Sequence, residues 1–267
     1  MKPARFDYER PTDLAGVLAL IGHDDVEVKL LAGGQSLGPM LNLRLAQPEL
    51  LVDITHLPDL KRVDTADDFV TIGACVTHAA IEDGKVPDPP NGMLRTVAGG
   101  IAYRAVRNRG TLGGSLAHAD PAADWPNALA ALGAEALVVG PDGKRTVPVA
   151  ALMTGMFMTT LAPAELIEAV RVPKLSREAR WGYYKLTRKA GEFAHAIGAV
   201  VRDPARKIMR AVIGATGGAP IVIADAHHLL TDAGAIAAVV DASPLAQDPY
   251  ERQIHIVALE RALKQVR

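Results

Sequence analysis

The residues with the clearest chemical capacity form two short glycine-rich stretches, Ala32-Gly33-Gly34-Gln35-Ser36-Leu37 and Thr111-Leu112-Gly113-Gly114-Ser115-Leu116. Paired glycines reach φ > 0 and let another atom approach the backbone closely. Successive N–H groups turned into one concavity bind anions, and each pair has a hydroxyl or amide side chain beside it. Neither stretch is a P-loop, because no lysine follows the second glycine, and neither fits G-x-G-x-x-G. One such pair alone reads more readily as a tight turn. A hydrogen bond to a charged group contributes roughly 1.5–3 kcal/mol, and micromolar affinity needs about 8 kcal/mol. A single loop with a few N–H donors therefore falls short once immobilisation is included. Two loops gripping one diphosphate, with flat rings stacked alongside, would reach it, and a flavin dinucleotide supplies both features.

Other reactive side chains narrow the chemistry. Cys75 is the one cysteine. It can form no internal disulfide and cannot alone hold an iron–sulfur cluster or a structural zinc; its setting, Ile72-Gly73-Ala74-Cys75-Val76, is that of a small buried apolar residue. His118 adjoins the second glycine pair, and His78 follows Thr77 at a helix start. His227-His228 reads as surface or core edge rather than a metal site. The chain has 29 basic and 30 acidic residues, a balance that argues against a nucleic-acid surface. No apolar run approaches the roughly 18 residues of a membrane span, and the N-terminus lacks a signal-peptide core. A cytoplasmic location is the expectation.

The elements that must position these residues mix strands and helices. A helix is expected over Asp13 to Ile21 and a strand over Val28 to Ala32, feeding the first glycine loop. Further strands are expected at Leu50 to Ile54 and Phe69 to Ala74. Thr77 should cap a helix through Ile81, and Met93 to Val106 reads as one helix. Asp120-Pro121 should start a helix ending near Gly133. Ala136 to Val149 reads as a hairpin and Leu166 to Val172 as a strand. After a polar linker near 175, strands are expected at Trp181 to Leu186, Phe193 to Val201 and Ile208 to Ala215. Helices are expected at Ile221 to Leu230, Ala233 to Val240 and Tyr250 to Val266. Hairpins beside alternation favour α+β over a doubly wound parallel sheet.

Ala32 to Leu37, with Arg44-Leu45 and Leu51-Val52-Asp53-Ile54 behind it, resembles the first FAD signature of the molybdenum hydroxylases. Asn108-Arg109-Gly110-Thr111-Leu112-Gly113-Gly114-Ser115-Leu116-Ala117, running into Ala119-Asp120-Pro121-Ala122-Ala123-Asp124, resembles the second. The likeness is to the medium, FAD-binding subunits of that family, which includes carbon monoxide dehydrogenase and xanthine dehydrogenase, and it covers nearly the whole chain. It implies an FAD-binding PCMH-type (vanillyl-alcohol-oxidase-like) domain of two α+β subdomains over residues 1–175, and a C-terminal α+β domain of the carbon monoxide dehydrogenase flavoprotein type over 178–267. It also implies non-covalent FAD and two partners, as a dimer of heterotrimers. Electrons would leave substrate at the molybdenum cofactor of a large subunit, cross [2Fe-2S] clusters on a small subunit, and pass through FAD to an external acceptor. The lone cysteine agrees with clusters lying elsewhere, and it excludes the 4-hydroxybenzoyl-CoA-reducing relatives, which carry a cysteine-bearing insertion.

The same likeness implies roles for single residues. Ala32, Gly33, Gly34, Gln35, Ser36 and Leu37 would lie along the diphosphate, and Thr111, Gly113, Gly114 and Ser115 would close its other side. Ser115 stands where many relatives have Asn. His118 could touch the cofactor or be a plain loop position. Asp124 would contact sugar hydroxyls, or simply be a first-turn carboxylate. Lys185 would lie beside the flavin ring, or be an exposed strand lysine. Arg188, Lys189, Glu192 and Phe193 stand where relatives place charged and aromatic groups near the flavin, and read otherwise as a solvated turn. Two alternatives stay open on these residues: a stand-alone flavin oxidase of the same fold, and a non-catalytic interaction subunit.

Overall fold

The computed structural model of the chain describes residues 2–22, 25–89, 91–232 and 234–267. The first unit is a parallel three-stranded sheet. Strand β1 (Asp7–Glu9) precedes helix α1 (Leu14–Ile21), strand β2 (Val28–Leu31), helix α2 (Leu37–Asn42) and strand β3 (Leu50–Asp53). The strand order is β1-β3-β2. Asp13 starts α1 by accepting the Gly16 N–H at 2.8 Å. Because β2 and β3 run parallel, the segments after Leu31 and after Asp53 emerge side by side at one edge. Open parallel sheets bind ligands beyond the carboxyl ends of their strands.

The second unit holds β4 (Val63–Thr65), β5 (Phe69–Gly73), α3 (His78–Glu82), α4 (Met93–Gly99), α5 (Arg104–Arg107), α6 (Leu112–His118) and α7 (Asp124–Leu132). It continues through β6 (Glu135–Gly140), β7 (Gly143–Pro148), α8 (Val149–Leu152), the hairpin β8 (Met153–Gly155) and β9 (Met158–Thr159), and β10 (Leu166–Pro173). Its antiparallel sheet has the order β4-β5-β10-β6-β7. Helix α7 is buried along its whole length, and its Trp125, Leu129 and Leu132 belong to the largest apolar cluster together with Val70, Ile72 and Val170.

The third unit is an antiparallel meander of β11 (Arg180–Leu186), β12 (Ala196–Asp203), β13 (Ile208–Gly214) and β14 (Ile221–Ile223). It carries α9 (His228–Thr231), α10 (Ala235–Asp241) and α11 (Pro249–Lys264). Asp248 caps α11 through the Tyr250 N–H at 2.7 Å. The fold is α+β, as expected.

Several local expectations change. Met93 to Val106 is two helices, broken after Gly99-Gly100 by Ala102, whose φ of 43° lies in the left-handed region. Ile221 to Leu230 is not a continuous helix: the β-branched run Ile221-Val222-Ile223 pairs antiparallel with Ile213, Val212 and Ala211, and the helix begins only at His228. Asp120 closes a turn through the Ala122 N–H at 2.9 Å, and the helix it was expected to start begins at Asp124. The strand expected from Phe193 begins at Ala196, leaving Phe193 exposed in the preceding turn.

Candidate functional site

The two glycine pairs meet, and they are built differently. The first is a true loop between β2 and α2. Gly34 has φ 69°, a conformation L side chains rarely adopt. Gln35 turns its side-chain amide back onto the Gly33 carbonyl at 3.1 Å. The N–H groups of Gly33, Gly34, Gln35 and Ser36 have no protein acceptor among the described residues. Gly33 is buried, and a buried N–H without a partner is rare and costly. Ala32 packs into the apolar cluster under the first sheet, and Leu37 into the cluster around Leu41.

The second pair lies inside the first turn of α6. Thr111 is its N-cap and accepts the Gly114 N–H at 3.1 Å. The segment then runs alongside Ala74 to His78: Leu112 N donates to the Val76 carbonyl, Gly113 N to Ala74 and His78 N to the Gly110 carbonyl. Ser115 N donates to the Thr111 carbonyl. The amides of Gly113, Gly114 and Ser115 are therefore already satisfied. Gly113 is a glycine for packing, since a Cβ there would lie 2.4 Å from the Ala74 Cβ. What this segment can still offer a ligand is the Thr111 N–H, which has no protein acceptor among the described residues, and the hydroxyl protons of Thr111 and Ser115.

The loops fit against each other through Gly33. A Cβ on it would sit 2.2 Å from the Arg109 carbonyl oxygen. Between them opens a cavity of about 230 Å³. It is lined by Gly33, Thr55 (from the loop after β3), Lys61, Cys75, Thr77, Asn108, Arg109 and Thr111. That volume is below the roughly 300–1,000 Å³ of a whole ligand pocket, so it would take a phosphate-sized portion of a dinucleotide. Open backbone donors, close-packed glycines and a cavity without carboxylates fit the diphosphate of FAD.

Asp124, Tyr183 and Lys185 form a second cluster, where β11 meets α7. Tyr183 donates to Asp124 Oδ1 at 2.7 Å. Lys185 Nζ donates to Asp124 Oδ2 at 3.0 Å and to the Gly100 carbonyl at 2.8 Å. Burial pushes the Asp124 carboxyl up, against the opposing pull of Lys185 and Tyr183. Burial and the neighbouring Asp124 push the Tyr183 hydroxyl well up. Lys185 is thus not an exposed strand lysine, and Asp124 already has a partner on each oxygen. His118 stacks on Phe157 with ring centroids 5.0 Å apart, and burial lowers its pKa. His78 is buried and accepts the Trp125 indole N–H on Nδ1 at 3.0 Å; burial, and Arg107 nearby, lower its pKa to about 4. Arg188 and Lys189 both pair with Glu192 in an exposed turn. No cluster of metal-ligating side chains occurs among the described residues.

Residues 4–175 match the family model for the FAD binding domain in molybdopterin dehydrogenase. The chain belongs to the FAD-binding subunits of the molybdenum hydroxylases. It is 35% identical to the 6-hydroxypseudooxynicotine dehydrogenase complex subunit alpha of Paenarthrobacter nicotinovorans, over 98% of this chain and 95% of that one. It is 38% identical to the carbon monoxide dehydrogenase medium chain of Hydrogenophaga pseudoflava, over 84% of this chain and 78% of that one. The fold superposes on carbon monoxide dehydrogenase from the same organism, in a form lacking the Mo-pyranopterin moiety, with a TM-score of 0.88, 32% identity and coverage of 100% and 98%. Relatives of this kind are dehydrogenase and hydroxylase subunits, and the chain is an oxidoreductase subunit with an FAD-binding domain.

Sequence reasoning missed Thr55, Lys61 and Thr77 at the cavity, and it quoted Asn108 and Arg109 within the second signature without giving them a role. The signal for Thr55 was available, since adjacent parallel strands bring their following loops together. Lys61 carried none.

Proposed function

We propose that the chain is the electron-transfer subunit of a heterotrimeric molybdenum hydroxylase, joined to a small [2Fe-2S] subunit and a large molybdenum-cofactor subunit, as a dimer of heterotrimers in the cytoplasm. Residues 1–175 form its FAD-binding domain and 178–267 its C-terminal domain. Bound FAD supplies the means to accept electrons from the clusters and release them to an external acceptor. The observation that carries this reading is the row of unpaired N–H groups from Gly33 to Ser36 at the carboxyl end of β2, in a chain of this family.

The protein groups divide the work. Gly33 to Ser36 hold the diphosphate through backbone donors, and the Thr111 and Ser115 hydroxyls face it from α6. Gly113 and Gly114 keep α6 close enough for that. Lys185, fixed by Asp124 and Gly100, places a positive charge beside the flavin ring and raises its affinity for electrons. Asp124 holds that lysine, and its remaining lone pairs accept from the cofactor. His118, stacked on Phe157, flanks the cofactor side of α6.

Purified chain should be yellow and release close to one FAD per chain on denaturation. Colourless protein that is folded by circular dichroism and takes up no added FAD would overturn the reading. Turnover of an N-heterocycle or aldehyde by this chain alone would instead indicate a self-contained oxidase.

A further inference from the structure

The cavity between the loops carries charge that the backbone reading does not use. Lys61 and Arg109 both line it. Neither is among the ion pairs formed by the described residues. They come from different parts of the chain, Lys61 from the turn after Leu57 and Arg109 from the end of α5. The threonines that line it with them are donors in waiting. Thr77 Oγ1 accepts the Ala80 N–H at 3.2 Å, and Thr111 Oγ1 accepts the Gly114 N–H at 3.1 Å. Each hydroxyl keeps its own proton to give away.

Among the described residues no carboxylate lines this cavity. The nearby Asp53 is occupied: Tyr8 and Thr55 donate their hydroxyls to it, and Arg10 lies 3.9 Å away. The Cys75 thiol is pushed up to about 12, chiefly by burial, so it stays uncharged at neutral pH. Two unpaired cations, two free hydroxyl protons and no opposing charge at the wall make a site for a multiply charged phosphoryl anion.

We propose that Lys61 and Arg109, reaching this cavity from separate parts of the chain, hold the phosphoryl groups of the dinucleotide, adding side-chain charge to the backbone grip of Gly33 to Ser36. The proposal rests on the FAD reading above. It makes cofactor retention ionic in part, because both side chains are exposed and exposed charges are screened by salt. It also predicts discrimination: a flavin lacking phosphate gains nothing from the two cations.

The test uses full-length chain stripped of flavin and titrated by flavin fluorescence. FAD should bind several-fold more weakly in about 0.5 M salt than at low salt, while riboflavin should show little salt dependence. The double variant Lys61→Met/Arg109→Met should bind FAD at least about tenfold more weakly at low salt, with a flattened salt response and unchanged riboflavin affinity. The charge-preserving pair Lys61→Arg/Arg109→Lys should restore most of the FAD affinity. If the double Met variant does not fold, each single variant should show part of the same loss. A folded variant with wild-type FAD affinity and salt response would overturn the clamp while leaving the FAD reading intact, whereas wild-type chain that binds no FAD at all would overturn the reading beneath it. The phosphate source is tested by adding inorganic pyrophosphate to FAD-loaded chain. No binding is expected, and calorimetric binding that vanishes in the double variant would assign the cavity to a second phosphorylated molecule and overturn the clamp.

Discussion

At the residue scale, two glycine pairs that look alike in sequence do different work. The first offers open amides; the second closes its own and offers packing. Their pairing placed both at one ligand, but only hydrogen-bond accounting separates them, because a glycine beside a threonine gives no sign of whether the threonine will cap a helix. Gly114 shows the consequence. A Cβ there would lie 2.7 Å from Thr111 Oγ1 and 3.5 Å from the Ala32 Cβ, so Gly114→Val should push the capping hydroxyl aside. The lost cap costs about 1 kcal/mol, a few degrees in Tm. FAD content should fall much further than stability, and FAD measured at wild-type stoichiometry would remove Thr111 from the site. His78 makes a separate, pH-dependent prediction. Its pKa is held down from 6.5 to about 4, so the folded chain resists a proton that the unfolded chain accepts. The stability at stake is intact above pH 6.5 and is lost as pH falls toward 4, up to about 3 kcal/mol. Urea titrations of His78→Gln should show a flatter acid limb over that window; an unchanged limb would mean other groups set it.

At the element scale, most of the fold was legible where an apolar run had one clear period, as in β3, β10 and α11. What failed was decided by contacts outside the local window. Nothing local says that Met93 to Val106 breaks, since the break is held by Arg107, which donates to the Ile101 and Ala102 carbonyls at 2.9 and 3.0 Å and pairs with Glu82. The close seat of α11 on its sheet was equally hidden. Gly182 and Gly198 read as ordinary strand positions, yet Cβ atoms on them would lie 2.0 Å from the Ala262 carbonyl oxygen and 2.5 Å from that of Ala258. The helix backbone rests directly on two strands, and a methyl group would force it off. Gly198→Ala should therefore cost at least about 3 kcal/mol, at the upper end of overpacking. Gly218 is the control: a Cβ there would meet nothing within 4 Å, so Gly218→Ala should stay within about 0.5 kcal/mol of wild type. Equal effects of the two substitutions in urea melts would contradict the seating of α11.

At the scale of the whole molecule, the C-terminal sheet is joined to the glycine-loop unit by polar contacts that the sequence shows only as separate residues. Ser176 donates to Asp203 through both its N–H and its hydroxyl, at 2.8 and 2.7 Å, the Trp181 indole donates to the Asn91 carbonyl at 3.1 Å, and Ala215 N donates to the Pro121 carbonyl. The most consequential is the cluster of Asp124, Tyr183 and Lys185, because one set of bonds both ties β11 to α7 and fixes the cation proposed to face the flavin. Asp124 and Lys185 are 7% and 14% exposed at the side chain, so water compensates little when one partner is removed. Lys185→Met should cost about 3–5 kcal/mol, because it leaves a buried carboxylate with only the Tyr183 hydroxyl. Asp124→Asn should cost less, since the amide keeps an acceptor for one neighbour. In the double variant Lys185→Met/Asp124→Asn the uncompensated charge is gone, so its loss should be smaller than the sum of the two single losses by more than about 1 kcal/mol, the upper range of an exposed pair. Urea unfolding of the four proteins without flavin measures that coupling. FAD reduction potentials of the loaded proteins then separate the two duties. If Lys185 only clamps the units, the double variant should regain both stability and potential; if it also faces the flavin, stability should return while the potential stays low. Additive losses in the four-protein cycle would show that Asp124 and Lys185 act independently, and the clamp between the two units would then have to be sought at Ser176 and Asp203.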